Sequence, residues 1–443
     1  MTSVSSPPTY RRVTNSLGLA PESTHDLPPY TRRNTLNSVV RREPTEHVYH
    51  LSEGKGNPWA TLKVYSSAKS TKSLPTFFEK EPVTASLEVH AEKGDSIQQI
   101  TAIVTGRLIT GASSSDELTF LCETLPIWAK SPTIHRVPSH SEGASGAKLL
   151  GKCEWPISIT LPKAVNIPNA NGEACFYRLP ETFLERHTKV SIQYDLTIYI
   201  SRGKLRANSQ IKTAFGFVPS TRPSPFSVPR QLAYQQGTPL PGPLDDPEGW
   251  KILRPVSARG IMFKSRKVEV RCTFSLAKPL SYTRGSVLPC RITLEGNDVA
   301  TLDAFSMPSS IAVVLRRRVR WYHQTSSARQ DVAWNDSVED VGTAVWWPSG
   351  DGRTDRFTRH LEGEIRLAKD LRPTSAMGHY SLSYSVVLCP FDISNLSSDP
   401  APLLSEPVEI TTMHAKGPRP VAYSPPAYEH SSRRCNDQYF AHY

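Results

Sequence analysis

The chain is 443 residues long, enough for two or three domains that each bury a core of their own. Apolar residues make up 38% and charged residues 21%, mean hydropathy is −0.38, and no run of eighteen apolar residues occurs, so a membrane-spanning helix is excluded. The net charge of +11 admits acidic partners, whether nucleic acid, anionic lipid or an acidic protein tail, without choosing among them.

Taken in chain order, residues 1–44 are rich in Ser, Thr, Pro and Arg and carry no sustained period. Such a segment buries too little surface to offset its ordering entropy, and a disordered tail is expected. Its first residues, "MTSVSSPPTYRRVTNS", lack the apolar stretch of a secretory leader. From 45 to 218 the pattern is that of a β-sandwich. "VTASLEVHA" (83–91) turns Val83, Ala85, Leu87 and Val89 to one side, and "VSIQYDLTIYI" (190–200) does the same with Val190, Ile192, Tyr194, Leu196, Ile198 and Ile200. One short helix is expected over "PETFLERH" (180–187), with Pro180 near its start.

Residues 219–254 are crowded with proline and glycine, which read as a linker. Alternation resumes from 255 to 415. Val268, Val270, Cys272 and Phe274 share one face, as do Tyr380, Leu382, Tyr384, Val386 and Leu388. Residues 416–443 again lack period and read as a disordered tail. The whole is expected to be an all-β protein with two tandem immunoglobulin-like β-sandwich domains between disordered tails.

Residues with catalytic or metal-binding chemistry are sparse. "GAKLLGKC" (146–153) fits the G-x-x-x-x-G-K phosphate loop, yet Cys153 stands where a Ser or Thr is needed, and the strand-like "EWPISITLP" follows where a helix must start. His47 and His50 are three apart, which in a strand puts them on opposite faces, and they read as surface histidines rather than a metal site. The seven cysteines form no C-x-x-C pair and read as inert thiols. Five acidic residues and three tryptophans gather over 334–357, which reads as a long polar loop anchored by Trp346 and Trp347 rather than a calcium or sugar site. No enzymatic activity, metal or cofactor is expected. In "LRRRVRWY" (315–322), strand geometry puts Arg316, Arg318 and Arg320 on one face, where they can hold phosphate on a lipid headgroup or a phosphorylated tail. Nucleic acid is not an expected partner, because no helix is available for a groove and no aromatics are interleaved for stacking.

The informative motifs lie outside the expected domains. Pro7, Pro8 and Tyr10 form P-P-x-Y, and Pro425, Pro426 and Tyr428 form a second copy. Leu27, Pro28 and Tyr30 form the related L-P-x-Y. Adjacent prolines pre-set polyproline II, and the tyrosine fills a second pocket, the mode in which WW domains read peptides.

Three stretches resemble arrestin-like proteins. Residues 57–89 and 177–205 resemble the first half of that family, and 275–298 resembles the start of its C-terminal domain, with Tyr282, Arg284 and Gly285 before Pro289 and Cys290. Combined with proline-tyrosine tails, the chain resembles the α-arrestins, in particular the fungal arrestin-related trafficking adaptors, over roughly residues 45–415. That resemblance implies a non-enzymatic adaptor whose P-P-x-Y sites engage the WW domains of a HECT-type ubiquitin ligase. Its β-sandwiches would meet the cytosolic tails of membrane transporters or receptors, with anionic lipid headgroups as a further partner. The place implied is cytoplasmic, peripheral at the plasma membrane or endosomes. An alternative role is a trafficking or signalling scaffold of the retromer-subunit or pH-signalling type, independent of ubiquitin ligase. Family members often carry these motifs only in a C-terminal tail, whereas here one also lies near the N-terminus.

Overall fold

The period-two pattern translates directly into burial. The six alternating residues from Val190 to Ile200 are each at most 1% exposed, and Val83, Leu87 and Val89 are fully buried. The computed structural model describes residues 43–52, 58–91, 97–111, 116–130, 149–169, 171–185, 189–203, 207–322, 334–350, 355–426 and 428.

In the first half, β1 (Thr45–Leu51), β2 (Ala60–Ser66), β3 (Thr76–Phe78), β4 (Val83–Ala91), β5 (Ile97–Ile109) and β6 (Glu117–Ala129) come first. β7 (Gly151–Ile159), β8 (Ala164–Pro168), β9 (Ala174–Arg178), β10 (Phe183–Leu184), β11 (Ser191–Arg202) and β12 (Ser209–Val218) follow. They build one sheet in the order β1-β2-β4-β7 and a second in the order β3-β12-β11-β5-β6, with β10 beside β11 and β8–β9 as a separate ribbon. Inward residues of both sheets, among them Leu62, Leu87, Val104 and Ile198, meet in one core, as in a sandwich.

A helix, α1 (Val228–Gln236), separates the halves. The second half opens with β13 (Trp250–Ile252), β14 (Val256–Met262), β15 (Arg266–Ala277), β16 (Ser281–Thr283), β17 (Val287–Glu295) and α2 (Val299–Phe305). It closes with β18 (Val313–Trp321), β19 (Asn335–Pro348), β20 (Thr358–Arg366), β21 (Ser375–Met377), β22 (Tyr380–Leu388), β23 (Leu396–Ser398) and β24 (Leu404–Thr411). Ten of these strands form one continuous path, β16-β24-β22-β18-β19-β20-β17-β15-β14-β23, with β13 beside β15 and β21 beside β22. β19 makes this possible. Its first residues pair with β18, from Trp321↔Asn335 to Val314↔Thr343, and its last pair with β20, from Ala344↔Ile365 to Pro348↔Leu361. A register shift between Leu315 and Arg316 marks where the ladder kinks. Trp346, 2% exposed, faces inward from the second part of β19 against Phe274. The stretch 334–357, expected as a loop, is therefore mostly a 14-residue strand, fixed by pairing to β18 along its first part and to β20 along its buried second part, Ala344 to Trp346.

The expected helix over 180–187 is also corrected. Phe183–Leu184 is a strand paired with β11, and the Thr182 N–H donates to the Phe217 carbonyl at 3.1 Å while the Phe217 N–H donates to the Thr182 hydroxyl at 2.8 Å. Tertiary pairing overrides weak local propensity here. The extended run also carries the contact between the halves. Phe183, 1% exposed, lies 5.8 Å from the Tyr380 ring. The buried Glu181 accepts from Arg284 at 2.9 Å and Arg372 at 2.7 Å, and Glu185 accepts twice from Arg317. The described residues from Pro44 onward belong to one compact unit.

The proline-rich segment joining the halves is itself folded. α1 begins with Pro229 in its first turn and ends on Gly237, whose φ of 68° is the left-handed cap that glycine supplies without strain. Arg230, 1% exposed, donates to the Lys278 and Gly249 carbonyls, each at 2.5 Å, with its guanidinium 5.0 Å from the Trp250 ring. β13 then pairs with β15.

Candidate functional site

The C-terminal proline-tyrosine motif is reached through a strap. After β24, Thr412 accepts from the Thr221 N–H at 3.0 Å and donates to the Pro219 carbonyl at 2.6 Å. The Met413 N–H donates to Thr221 and the Met413 carbonyl accepts from the Thr283 hydroxyl, each at 2.9 Å. Ala415 is buried, and Pro420 lines a small hollow with Arg230, Tyr234 and Tyr282. Residues 416–424 thus lie folded on the second half and on α1, although their composition led to an expectation of disorder.

Tyr423 is the main anchor. Its backbone N–H donates to the Glu364 carboxylate at 2.9 Å, its hydroxyl donates to the Thr238 carbonyl at 2.9 Å, and its ring stacks on Tyr234 with a centroid distance of 6.4 Å. Glu364 is 2% exposed, so this N–H meets a carboxylate shielded from water, where a hydrogen bond counts for more. Burial pushes the Tyr234 phenol far up, and it pushes up Tyr423 as well, so both rings stay neutral at physiological pH. Ser424 is 9% exposed and receives a hydrogen bond from Arg366 at 3.2 Å.

The motif follows at once. Pro425 is half-buried, Pro426 exposed and Tyr428 half-buried. The Tyr428 N–H donates to the Pro425 carbonyl at 3.0 Å, which folds the motif into a helical turn rather than polyproline II. Pro7, Pro8, Tyr10, Leu27, Pro28 and Tyr30 lie outside the described residues, as do residues 131–148, which include the start of the G-x-x-x-x-G-K stretch.

The arginine face of β18 is placed as its strand geometry predicts, and each of its cations has an acidic neighbour on β19. Arg316 grips Asp340 through two bonds of 2.7 and 3.1 Å, and Arg318 grips Asp336 at 3.1 and 2.5 Å. Arg320 Nε lies 3.0 Å from Asp336, with the guanidinium 4.8 Å from the Trp334 ring. The hydrogen bond from Arg318 holds the Asp336 carboxyl below the usual range, and the bond that Arg316 donates to Asp340 raises Arg316. Arg317 turns inward to Glu185, as expected from its alternation with Arg316 and Arg318. The structure thus brings Arg316, Arg318 and Arg320 together but already neutralises most of their charge. None of these three lies in the strap that carries Tyr428.

Elsewhere, the segment after Gly151 is strand β7, not the helix that a phosphate loop requires. His50 is exposed beside Thr61 on the surface as expected, but His47, on the opposite face, is buried against Ser66, whose hydroxyl satisfies its ring nitrogen inside the protein. Among the described residues, no group of three or more His, Cys, Asp or Glu side chains is placed to hold a metal ion. No helix among them is long and apolar enough to cross a membrane. No protein-family model matches the chain, and no curated protein matches it in sequence.

Two functional features escaped the sequence reading. Tyr423 and Ser424 sit beside the motif, but their partners are remote: Tyr234 in α1, Thr238 just past it, and Glu364 and Arg366 in β20. Glu181 falls within the stretch expected as a helix, whereas its role comes from arginines more than 100 positions away.

Proposed function

We propose that this chain is a non-enzymatic adaptor with an arrestin-like fold, which recruits a WW-domain HECT-type ubiquitin ligase to membrane cargo and so promotes ubiquitination and endocytosis. The observation that carries the reading is the position of Pro425, Pro426 and Tyr428. They follow a strap anchored on an all-β body and reach the surface with the outer proline exposed. A peptide ligand has to be at the surface, and two further proline-tyrosine sites at Tyr10 and Tyr30 would add avidity toward a partner with several WW domains. The two β halves supply broad surfaces of the kind that engages cytosolic tails of transporters or receptors, and the adaptor works in the cytoplasm at the plasma membrane or endosomes. The arrestin-like assignment draws its support from the all-β architecture with its curled second sheet and from the order of the resembling stretches.

The test is capture of the full chain by immobilised tandem WW domains, comparing wild type with a Tyr10→Ala, Tyr30→Ala, Tyr428→Ala variant. The triple variant should lose capture. Equal capture would overturn the ligase link and favour a trafficking or signalling scaffold that works without it.

A further inference from the structure

We infer that the C-terminal proline-tyrosine motif is held closed by its own strap, with Tyr423 as the positioning residue that must lift before a WW domain can engage Pro425–Tyr428. This rests on the WW-ligand reading and adds its regulation.

The geometry carries the argument. A WW domain reads the motif as polyproline II, which rises about 3.1 Å per residue and separates the first proline from the tyrosine by roughly 9 Å. A turn closed by an i to i+3 hydrogen bond brings those same Cα atoms within about 7 Å. The Tyr428 N–H to Pro425 carbonyl bond is of that kind, so the two side chains are not spaced for the two pockets. Access is restricted as well. Pro425 and Tyr428 are half-buried, and Ser424 immediately before them is 9% exposed under Arg366. The docked Tyr423 and Ser424 hold the residues immediately before the motif against the body. The three contacts of Tyr423, to Glu364, Thr238 and Tyr234, fix the strap end and hence the turn. The buried Glu364 adds stiffness. One of its oxygens accepts from Tyr423 and the other has no hydrogen-bond partner, so lifting the strap removes a donor from a carboxylate shielded from water. The closed state is thus favoured whenever no partner competes, and apparent affinity falls by the fraction of molecules that are open.

The experiment uses the full chain in a Tyr10→Ala, Tyr30→Ala background, so that only the C-terminal motif reports. Its affinity for a single WW domain is measured by calorimetry beside that of a synthetic peptide spanning residues 419–432. The peptide should bind more tightly than the chain by at least about five-fold, the factor set by one net hydrogen bond. Tyr423→Ala in the chain should close most of that gap, while the same change in the peptide should alter little. Circular dichroism and thermal melting establish that the variant folds, and the peptide-against-chain comparison stands even if it does not. Equal affinity of peptide and wild-type chain overturns the latch and leaves the WW reading intact. Failure of the peptide itself to bind overturns the WW reading instead.

Discussion

Removing the Glu181 side chain tests how the two halves are held. Glu181 is 7% exposed and accepts from two arginines of the second half, Arg284 at 2.9 and 3.1 Å and Arg372 at 2.7 Å. Glu181→Ala leaves two guanidinium groups without a carboxylate. Breaking a buried pair by removing one partner costs ~3–5 kcal/mol. Two observations lower that figure here: Arg284 keeps a bond to the Leu371 carbonyl at 3.1 Å, and the Arg372 side chain is 34% exposed. A loss of about 2–3 kcal/mol is expected, which lowers Tm by roughly 2–4 °C for a cooperative body of this size. Glu181→Gln keeps an acceptor oxygen and should lose about half as much. Urea unfolding followed by tryptophan fluorescence and by far-UV circular dichroism measures both variants. Because the contact joins the halves, the two probes should diverge more in Glu181→Ala than in wild type. A change within about 0.5 kcal/mol, the range of ordinary surface substitutions, would refute the idea that this carboxylate fastens one half to the other.

A methyl group at Gly363 would lie 2.6 Å from the Trp346 ring, so Gly363→Ala should destabilise the second half by about 1–3 kcal/mol, and an unchanged Tm would contradict the packing described for β19 and β20. For Glu79, burial pushes the carboxyl up, but the Ser220 N–H and Arg178 outweigh it, and the net value falls below the usual range. Asp336 is held low by Arg318. Groups with depressed folded-state values add stability above their unfolded pKa of about 4 and lose it as pH falls through the lower folded value. Urea midpoints should therefore drop as pH falls from about 4.5 toward 3, and Glu79→Gln should flatten that slope; an identical slope in the variant would contradict the assignment. At the arginine face, Asp336→Asn with Asp340→Asn would free Arg316, Arg318 and Arg320, and at ~1 kcal/mol per cation near an anionic surface, partition onto phosphatidylserine vesicles should rise about five-fold or more. Equal partition would mean that this face does not meet the bilayer.

Strands were legible because one physical constraint fixes them: a half-buried strand must alternate, and Val190 to Ile200 or Tyr380 to Leu388 have no other way to bury their apolar side chains. Segments governed by remote partners were not legible. Residues 181–185 have the composition of a helix, yet Phe183 fills a site against Tyr380, and Glu181 and Glu185 answer arginines on β18 and in the second half. β19 was obscured by its own function in the sheet. Its first part presents Asp336, Glu339 and Asp340 to solvent and to arginines, its second buries Ala344 and Trp346, and the changeover breaks the single period that would have marked a strand.

The proline-rich segments show a different reason for illegibility, and it points to a usable signal. Proline removes backbone donors but keeps every carbonyl, so a packed proline-rich chain is short of N–H groups and must draw donors from side chains. That is how residues 219–250 and the strap are held. Arg230 supplies the Lys278 and Gly249 carbonyls, Arg291 supplies Leu240, Trp250 supplies Pro241, Gln231 supplies Phe226 and Tyr423 supplies Thr238. Three of these donors, Arg230, Gln231 and Trp250, lie within the proline-rich segment itself, while Arg291 and Tyr423 reach in from the body and the tail. A proline-rich stretch with Arg, Trp and Gln embedded in it therefore carries the donors that its backbone lacks, whereas a true spacer has no use for them. By that criterion "PSTRPSPFSVPRQLAYQQGTPLPGPLDDPEGW" reads as a folded connector, and Tyr423, two residues before the motif prolines, reads as one of its missing donors. The same donor shortage makes the latch reversible: a partner that lifts Tyr423 takes one hydroxyl from one carbonyl and one N–H from one carboxylate, while the rest of the connector keeps its own donors.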